Sequence, residues 1–191
     1  MIIGVTGFKR SGKDSVCNAL VSNFDFIKKS FDFPIKEIVK IIFLWDDNFI
    51  ENCKEEIDPL WGISPGQALQ HLETDWAQKA LCESYPLFKE TTYRNLWVNR
   101  LFLDLQKNDP KLEKNYCISD VRSSHEVAEI KKHNGIIIKV KRNNRASCDM
   151  HESEQGIKDL DPDFVFLNTG TLNDLSCQVI FFMKNNNIIK E

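Results

Sequence analysis

Residues 2–15 read IIGVTGFKRSGKDS, and this stretch decides the fold. Its first five residues are mostly apolar and β-branched, as in a buried strand, and residues 15–24 repeat apolar side chains at helical spacing. Between them, residues 7–13 match the pattern G-x-x-x-x-G-K of a phosphate-binding loop. Strand, glycine loop and helix in that order are the context that the motif requires. A strand-to-helix turn with an incidental lysine is therefore the weaker interpretation.

The chemistry of this phosphate loop, residues 7–13, follows from its composition. Gly7 and Gly12 let the backbone curl until successive N–H groups converge on phosphate oxygens, and the following helix adds its dipole. Lys13 supplies a positive charge to the β- and γ-phosphates of ATP. The other loop side chains expected near the phosphates are Lys9, Arg10 and Ser11.

The residue after Lys13 is Asp14, although a serine or threonine that binds Mg²⁺ is usual there. A bare carboxylate at this position would repel ATP, so Mg²⁺ or a cation such as Lys9 or Arg10 has to compensate its charge. We expect Asp14 and Ser15 to contribute to the metal site. The alternative is that Asp14 only caps the following helix.

Strands and helices alternate along the rest of the chain. Apolar runs predict strands at residues 116–121, 136–141 and 163–167. Helices are expected from Ser64, at residues 95–107, from Ser123 to Gly135 and at about residues 172–184, and Gln67 and Glu126 complete two capping boxes. This order predicts a three-layer α/β/α fold with a central parallel sheet.

Composition limits the class of protein. The chain has 191 residues, 42% hydrophobic and 28% charged, which suits one globular domain. Its net charge of -3 argues against a main task of binding a nucleic acid polymer. No apolar run approaches the length of a membrane span, about 20 residues, and the N-terminus resembles a strand rather than a signal peptide. A cytoplasmic location without membrane contact is therefore expected.

The six cysteines are scattered and form no C-x-x-C pair. Most of them lie in apolar stretches, so reduced core thiols are favoured over a zinc site or disulfides.

Two polar side chains stand at the carboxyl end of a predicted strand, where open α/β sheets bind ligands. Asp120 is expected in the water shell of the metal, and Arg122 at the acceptor phosphate or the transferring group. A surface ion pair at the strand end is the alternative. From Arg142 to Leu160 the chain is polar without clear periodicity, which predicts a loop or lid between two strands.

The segment KRSGKD at residues 9–14 resembles the phosphate loop of the bacteriophage deoxynucleoside monophosphate kinases, in which Asp14 is a family trait. Further segments resemble that family in the same order, across nearly the whole chain. They are FPIK (33–36), SPGQALQ (64–70), LWV (96–98), DVR (120–122) and, beyond Arg142, HESE (151–154). The chain departs from the family pattern at Glu73, where a glycine is expected.

The resemblance implies a single domain with the P-loop kinase fold, an acceptor-binding helical region at about residues 30–110 and a lid at about residues 142–160. It implies that ATP with Mg²⁺ phosphorylates deoxynucleoside monophosphates for nucleotide supply, and it suggests a homodimer. Arg142 and Arg145 would begin the lid and close over the phosphates, with Arg142 as a catalytic residue; the alternative is that both are solvated arginines. His151 and Glu154 would order the lid, or are surface groups.

Asn168 and Gly170 follow a predicted strand. The resemblance implies that this loop meets the adenine of ATP. Alternatively, the loop is a turn before the last helix, with Thr171 as its N-cap and Asp174 as the capping partner.

The side chains expected at the acceptor are aromatic, amide or charged, because amides pair with a base edge and an aromatic ring can stack on it. They are Phe33, Lys36, Gln67, Gln70, His71, Asp75 and Trp97. Along the helix from Ser64, an apolar stripe on another face is expected to pack inward. This stripe comprises Leu69, Leu72, Trp76 and Ala80. The alternatives are that Gln67 only completes the capping box and that Trp97 belongs to the core.

Two other functions stay open at the level of sequence. Related P-loop kinases acting on phosphomevalonate or dephospho-coenzyme A share much of this skeleton, and the acceptor pocket distinguishes them. A non-catalytic regulatory module would bind ATP without producing ADP in response to an acceptor.

Overall fold

The computed structural model describes residues 1–92, 95–142 and 155–186. The chain divides into two compact units. Met1–Ser30 and Leu105–Glu191 form one, here the sheet unit, and Phe31–Asp104 forms the other, here the helical unit. The helical unit falls within the segment, about residues 30–110, for which acceptor binding is predicted.

Strands and helices alternate as the pattern predicts. The strands are β1 (Ile2–Thr6), β2 (Phe26–Lys29), β3 (Asn115–Val121), β4 (Ile136–Lys141) and β5 (Phe164–Leu167). The α-helices are α1 (Lys13–Phe24), α2 (Phe33–Phe43), α3 (Asp47–Asn52), α4 (Pro65–Gln70), α5 (Leu81–Ser84), α6 (Pro86–Thr92), α7 (Leu96–Asn108), α8 (Ser124–Lys132), α9 (Gln155–Lys158) and α10 (Leu172–Asn185). A π-helix, His71–Ala80, joins α4 to α5.

The strands of the sheet unit lie in the order β2-β3-β1-β4-β5, and each neighbouring pair is parallel. Parallel neighbours need crossover connections, so helices lie on the faces of the sheet. On one face, α1 and α10 bury Leu20 and Val179 against strand residues such as Ile3. On the other, Ile130 of α8 packs so close to β1 that a Cβ on Gly4 would stand 2.7 Å from its Cδ1 atom. The three-layer α/β/α arrangement is confirmed.

Helices α8 and α10 begin with the predicted side-chain caps. Ser123 and Glu126 form a capping box on α8, and Thr171 and Asp174 form one on α10. At the end of α8 the left-handed residue is Asn134 rather than Gly135, and the N–H of Gly135 donates to the Ile130 carbonyl at 2.9 Å. The helix therefore closes with a left-handed asparagine, and Gly135, the glycine predicted to close it, follows one position later.

Within the helical unit, a core of Val39, Trp45, Ile50 and Ala68 holds α2, α3 and α4 together. The Trp45 ring stacks on Phe43 with centroids 4.5 Å apart, and its N–H donates to Asp58 at 2.6 Å. Full burial of an aliphatic side chain such as Val39 contributes about 1.5–3 kcal/mol. The acidic stretch from Asp46 to Asp58 is mostly exposed, but Asp58 itself accepts this hydrogen bond from Trp45.

The predicted apolar stripe after Ser64 is wrong in its second half. The capping box of Ser64 and Gln67 is present, but beyond Gln70 the turns widen, and the Leu81 N–H donates to the Trp76 carbonyl five residues back. Each such turn rotates the following side chains relative to an α-helix. Trp76 is consequently 40% exposed and Ala80 exposed, whereas Ala77 and Cys82 are buried.

The five cysteines within the described residues are free thiols. Cys17, Cys82 and Cys117 are buried, Cys53 is half-buried and Cys177 is exposed. Cys148 lies outside the described residues. None of the helices that the structure describes is both long and apolar enough to cross a membrane.

Candidate active site

The phosphate loop leaves β1 and enters α1 through backbone conformations that only glycine adopts easily. Gly7 has φ 145° and Gly12 has φ 109°. A Cβ on Gly7 would overlap the Val140 carbonyl oxygen and stand 2.7 Å from the Ser11 hydroxyl. Between the two glycines, Arg10 is left-handed at φ 62°, and the Ser11 N–H donates to the Phe8 carbonyl at 3.0 Å. The loop is therefore a tight turn rather than an open strand-to-helix connection.

Lys13 lies over this turn. Its ammonium donates to the Gly7 carbonyl at 2.7 Å and to the Phe8 carbonyl at 2.9 Å. The hydroxyls of Thr6 and Ser11 are buried and make no hydrogen bond within the described residues. A buried hydroxyl without a hydrogen-bond partner destabilises the fold. A phosphate oxygen beside the loop would accept a hydrogen bond from such a hydroxyl and remove this cost. The glycine cradle, the ammonium and these hydroxyls fit a polyphosphate.

Two side chains from neighbouring strand ends contact the loop. Asn168, which follows β5, donates its amide to the Ser11 carbonyl at 2.8 Å and is 5% exposed. Arg142, which follows β4, is exposed and reaches the Arg10 carbonyl at 3.5 Å. Both predicted cofactor-binding residues therefore lie at the loop.

Gly170 takes part in the turn before α10. The Thr171 N–H donates to the Asp174 carboxylate at 2.7 Å, and a Cβ on Gly170 would overlap that carboxylate. Gly170 and Thr171 therefore form the turn that caps α10, which is the second of the two interpretations of this loop. A contact of Gly170 with adenine stays a prediction.

Asp14 has a cationic partner that sequence reasoning missed. Its carboxylate accepts from Lys28 of β2 at 2.7 Å, and the Asp14 side chain is 73% exposed. Lys28 is therefore a further cation beside Asp14, in addition to Mg²⁺, Lys9 and Arg10, the groups expected to compensate its charge. Lys28 was hard to find because β2 buries only the first of its four residues and lacks the alternation typical of a strand. The predicted metal roles of Asp14 and Ser15 stay predictions.

Asp120 and Arg122 lie at the carboxyl edge of the sheet, next to the start of the loop. Thr6 pairs with Val121, and the register between β1 and β3 shifts just before this pair, so that β3 has one residue more. Such bulges redirect side chains and are common beside active sites. Asp120 is 8% exposed and Arg122 is half-buried. The structure thus brings both predicted residues to the mouth of the phosphate loop.

A buried lysine supports the segment that follows residues 143–154. Lys139 of β4 donates to the carbonyls of Ile157 at 2.8 Å and Leu160 at 3.5 Å, and burial lowers its pKa. Beside it, a Cβ on Gly156 would stand 2.9 Å from the Arg122 carbonyl oxygen. Sequence reasoning gave Lys139 no role, because a lysine within an apolar strand has no visible partner in the sequence.

The helical unit contains a cavity of about 600 Å³. We call it the acceptor cavity, because several residues predicted to bind the acceptor line it. Its ten lining residues are Ile42, Phe43, Gly62, Ile63, Gln67, Ala68, Gln70, His71, Leu72 and Asp75. Four of the seven predicted acceptor residues are therefore brought together, namely Gln67, Gln70, His71 and Asp75. Apolar walls with a few convergent polar groups are typical of small-molecule sites.

The polar side chains of the acceptor cavity already form hydrogen bonds and ion pairs within the helical unit. The side-chain oxygen of Gln67 accepts from the Ser64 N–H at 2.9 Å, so this oxygen belongs to the capping box. Asp75 accepts from Lys79 at 2.6 Å and contacts the His71 Nδ1 at 3.3 Å. Lys79 first and His71 second lower the pKa of Asp75, so its carboxylate stays ionised.

The other three predicted acceptor residues do not line this cavity. Phe33 is the first residue of α2 and is 56% exposed. Lys36 pairs with Glu51 at 2.6 Å. Trp97 is half-buried, donates to the Glu73 carbonyl at 3.4 Å and lies 6.4 Å from the Trp76 ring. Arg145, His151 and Glu154, together with most of the predicted lid, fall outside the described residues.

Known proteins are similar to this chain in sequence. Residues 87–179 match the family model of deoxynucleotide monophosphate kinase. A protein of Acanthamoeba polyphaga mimivirus, provisionally named a deoxynucleotide monophosphate kinase, is 34% identical over 195 residues, covering 97% of each chain. The deoxynucleotide monophosphate kinase of Enterobacteria phage T4 is 22% identical over 236 residues, covering 93% of this chain and 96% of its own.

A solved structure resembles the whole fold. The dephospho-CoA kinase of Campylobacter jejuni has a TM-score of 0.51 and 15% identity, with 98% of this chain and 97% of its own covered. At that identity the likeness concerns the fold alone, and it agrees with the predicted P-loop kinase architecture.

Proposed function

Because the chain belongs to the family of deoxynucleotide monophosphate kinases, we propose that it transfers the γ-phosphoryl group of ATP to a deoxynucleoside monophosphate. An oxygen of the acceptor phosphate forms a new bond to the γ-phosphorus, the bond from that phosphorus to the bridging oxygen breaks, and ADP leaves with the electron pair. The product would be a deoxynucleoside diphosphate for nucleotide supply.

The observation that carries this proposal is the phosphate loop itself. Gly7 and Gly12 have the positive φ that the turn needs, Lys13 lies over the turn, and the Ser11 hydroxyl is buried without a partner within the described residues. Phosphoryl transfer requires mainly positioning and neutralisation of charge, which such a loop supplies. A loop of this construction fits the polyphosphate of ATP.

Around the loop, four side chains would share the work on the transferring group. Lys13 and Arg142 would neutralise the donor phosphates, and Arg122 would hold the acceptor phosphate through its planar guanidinium. Asp120, assisted by Asp14 or Ser15, would hold Mg²⁺ through water. Mg²⁺, when bound, supplies charge neutralisation between the β- and γ-phosphates.

For the acceptor, we assign the base to the acceptor cavity of the helical unit. Its apolar walls, Ile42, Phe43 and Ile63 among them, suit a planar ring, and the amides of Gln67 and Gln70 suit the polar edge of a base. This assignment separates the proposal from kinases for phosphomevalonate, whose acceptor has no base to place in such a cavity.

The test is an ADP-release assay with each deoxynucleoside monophosphate, each ribonucleotide and phosphomevalonate as acceptor. At least one deoxynucleoside monophosphate is expected to stimulate ADP production well above the rate with ATP alone. Tight ATP binding with no stimulation by any acceptor would instead indicate a regulatory module. Stimulation by phosphomevalonate alone would replace the nucleotide acceptor with a non-nucleotide one.

A further inference from the structure

Asn168 links the end of one strand to the phosphate loop. It is 5% exposed, and its backbone N–H donates to the Lys141 carbonyl at 2.7 Å. Its side-chain amide donates to the Ser11 carbonyl at 2.8 Å, across 157 positions of sequence. Sequence analysis expects this residue near adenine, whereas within the described part of the chain its amide donates to the backbone of the phosphate loop.

The contact is tight as well as polar. A Cβ on Gly12 would stand 2.7 Å from the Asn168 amide nitrogen and 2.9 Å from a methyl group of Leu175. The Asn168 side chain therefore lies directly against the Ser11–Gly12 peptide. Because the amide is almost fully buried, water has little access to the Ser11 carbonyl as a substitute donor.

A trans peptide is planar, and its C=O and N–H point in opposite directions. When Asn168 holds the Ser11 carbonyl on its own side, the N–H of Gly12 is fixed to point away from Asn168. In a loop of this type, consecutive backbone N–H groups are the donors to the phosphates. Control of one carbonyl thus controls the aim of one phosphate donor.

We propose that Asn168 is a positioning residue that fixes the Ser11–Gly12 peptide plane, so that the Gly12 N–H faces the donor phosphates. Its role is toward the triphosphate, through the loop, and not toward the adenine. The inference rests on the proposed function only in taking a nucleoside triphosphate as the donor.

The experiment compares binding of ATP with binding of inorganic tripolyphosphate, which has no base, by calorimetric titration. Asn168→Leu removes the amide and keeps most of the side-chain shape. Gln178→Leu is the matched control, because Gln178 of α10 also donates an amide to a backbone carbonyl, that of Leu167 at 2.9 Å, and not to a carbonyl of the phosphate loop. Thermal unfolding of each variant checks the fold.

For Asn168→Leu we expect affinity to fall by about tenfold or more for both ATP and tripolyphosphate, by the same factor. Gln178→Leu should bind both as the wild type does. In turnover, the KM for ATP should rise while the KM for the acceptor stays unchanged. Should Asn168→Leu fail to fold because leucine presses on Gly12, Asn168→Ala removes the same donor without adding apolar bulk.

Loss of affinity for ATP with normal affinity for tripolyphosphate would overturn the inference and indicate a contact with adenine. Unchanged affinity for both ligands would also overturn it. Since the titrations need no acceptor, a wild type that binds both ligands but does not phosphorylate any deoxynucleoside monophosphate refutes the proposed function separately.

Discussion

In the phosphate loop, residues 7–13, positions are set by backbone geometry and buried contacts. Gly7 and Gly12 adopt positive φ, and Asn168 is buried against the Ser11 carbonyl. Around the acceptor cavity, positions are set by exposed side chains that pair with one another. His71 is 69% exposed and Asp75 44% exposed, and both belong to a π-helix.

Under the proposed function, this difference follows from what each region would bind. A triphosphate presents the same oxygens in every nucleotide, so a rigid backbone cradle can serve it, and the cost of strain at glycine is small. Bases differ in the hydrogen-bonding groups along their edges. Exposed side-chain amides and imidazoles suit such a ligand, because they can be exchanged without disturbing the fold. Substitutions in the loop should therefore damage catalysis severely, and substitutions in the cavity should alter acceptor use mildly.

The largest effect is expected for Lys13→Ala. It should lower kcat/KM by at least about 100-fold, because removal of one strong donor to developing charge costs about 2.7–4 kcal/mol. Steady-state kinetics measures the loss, and circular dichroism checks the fold. Lys111→Ala, at an exposed turn of the sheet unit, is the control. Near-normal activity in a folded Lys13→Ala variant would contradict the role of the loop.

A pair of glycines tests the importance of backbone packing. Gly7 and Gly62 both have positive φ, but a Cβ on Gly7 would overlap the Val140 carbonyl, whereas a Cβ on Gly62 would meet nothing within 4 Å. Gly62→Ala should cost only the left-handed strain, about 1–2 kcal/mol. Gly7→Ala adds displacement of β4 or of the loop and should weaken ATP binding at least about tenfold. Equal melting temperatures and equal ATP affinities for the two variants would contradict this difference.

The regions also differ in how far sequence predicts them. The strand, loop and helix around Lys13 are local in sequence, and their glycines and periodicity indicate the structure directly. The acceptor residues Gln67, Gln70, His71 and Asp75 are predicted on the helix that begins at Ser64, and all four line one cavity. The π-helix changes the register beyond Gln70, so Trp76 is exposed where burial is predicted.

Partners distant in sequence account for most of what was missed. Lys28 pairs with Asp14 only because β2 lies beside β3 at the edge of the sheet, and that short strand has no alternating pattern. The contact of Asn168 with Ser11 depends on β4 and β5 ending beside the loop. Neither pairing leaves a periodic signal, because ion pairs and side-chain to backbone bonds depend on tertiary geometry.

Gln70→Ala tests the cavity with a milder expected effect. Gln70 lines the acceptor cavity with an exposed side chain, and one hydrogen bond contributes about 0.5–1.5 kcal/mol. The KM for the acceptor should rise by about three- to tenfold, and the KM for ATP should not change. Gln106→Ala, an exposed glutamine of α7, is the control. A change confined to the KM for ATP would move Gln70 to the donor side.

The smallest effect is expected for the stability of Asp75→Asn. Lys79 and His71 lower the pKa of Asp75 from its usual value of about 3.9, so the paired carboxylate stabilises the fold above that pH. This stabilisation is lost as the pH falls through the lowered pKa, because the wild-type carboxyl group becomes protonated. The melting temperatures of wild type and variant should therefore differ slightly at pH 7 and converge towards pH 2.

Asp109 of the sheet unit, 7% exposed and bonded to two backbone N–H groups and to Tyr116, also has a lowered pKa. Asp109→Asn should show the same convergence from a larger difference at pH 7, because Asp109 is itself shielded from water. A larger loss at Asp75 than at Asp109, or a difference that does not shrink in acid, would contradict the view that exposed pairs hold the cavity only weakly.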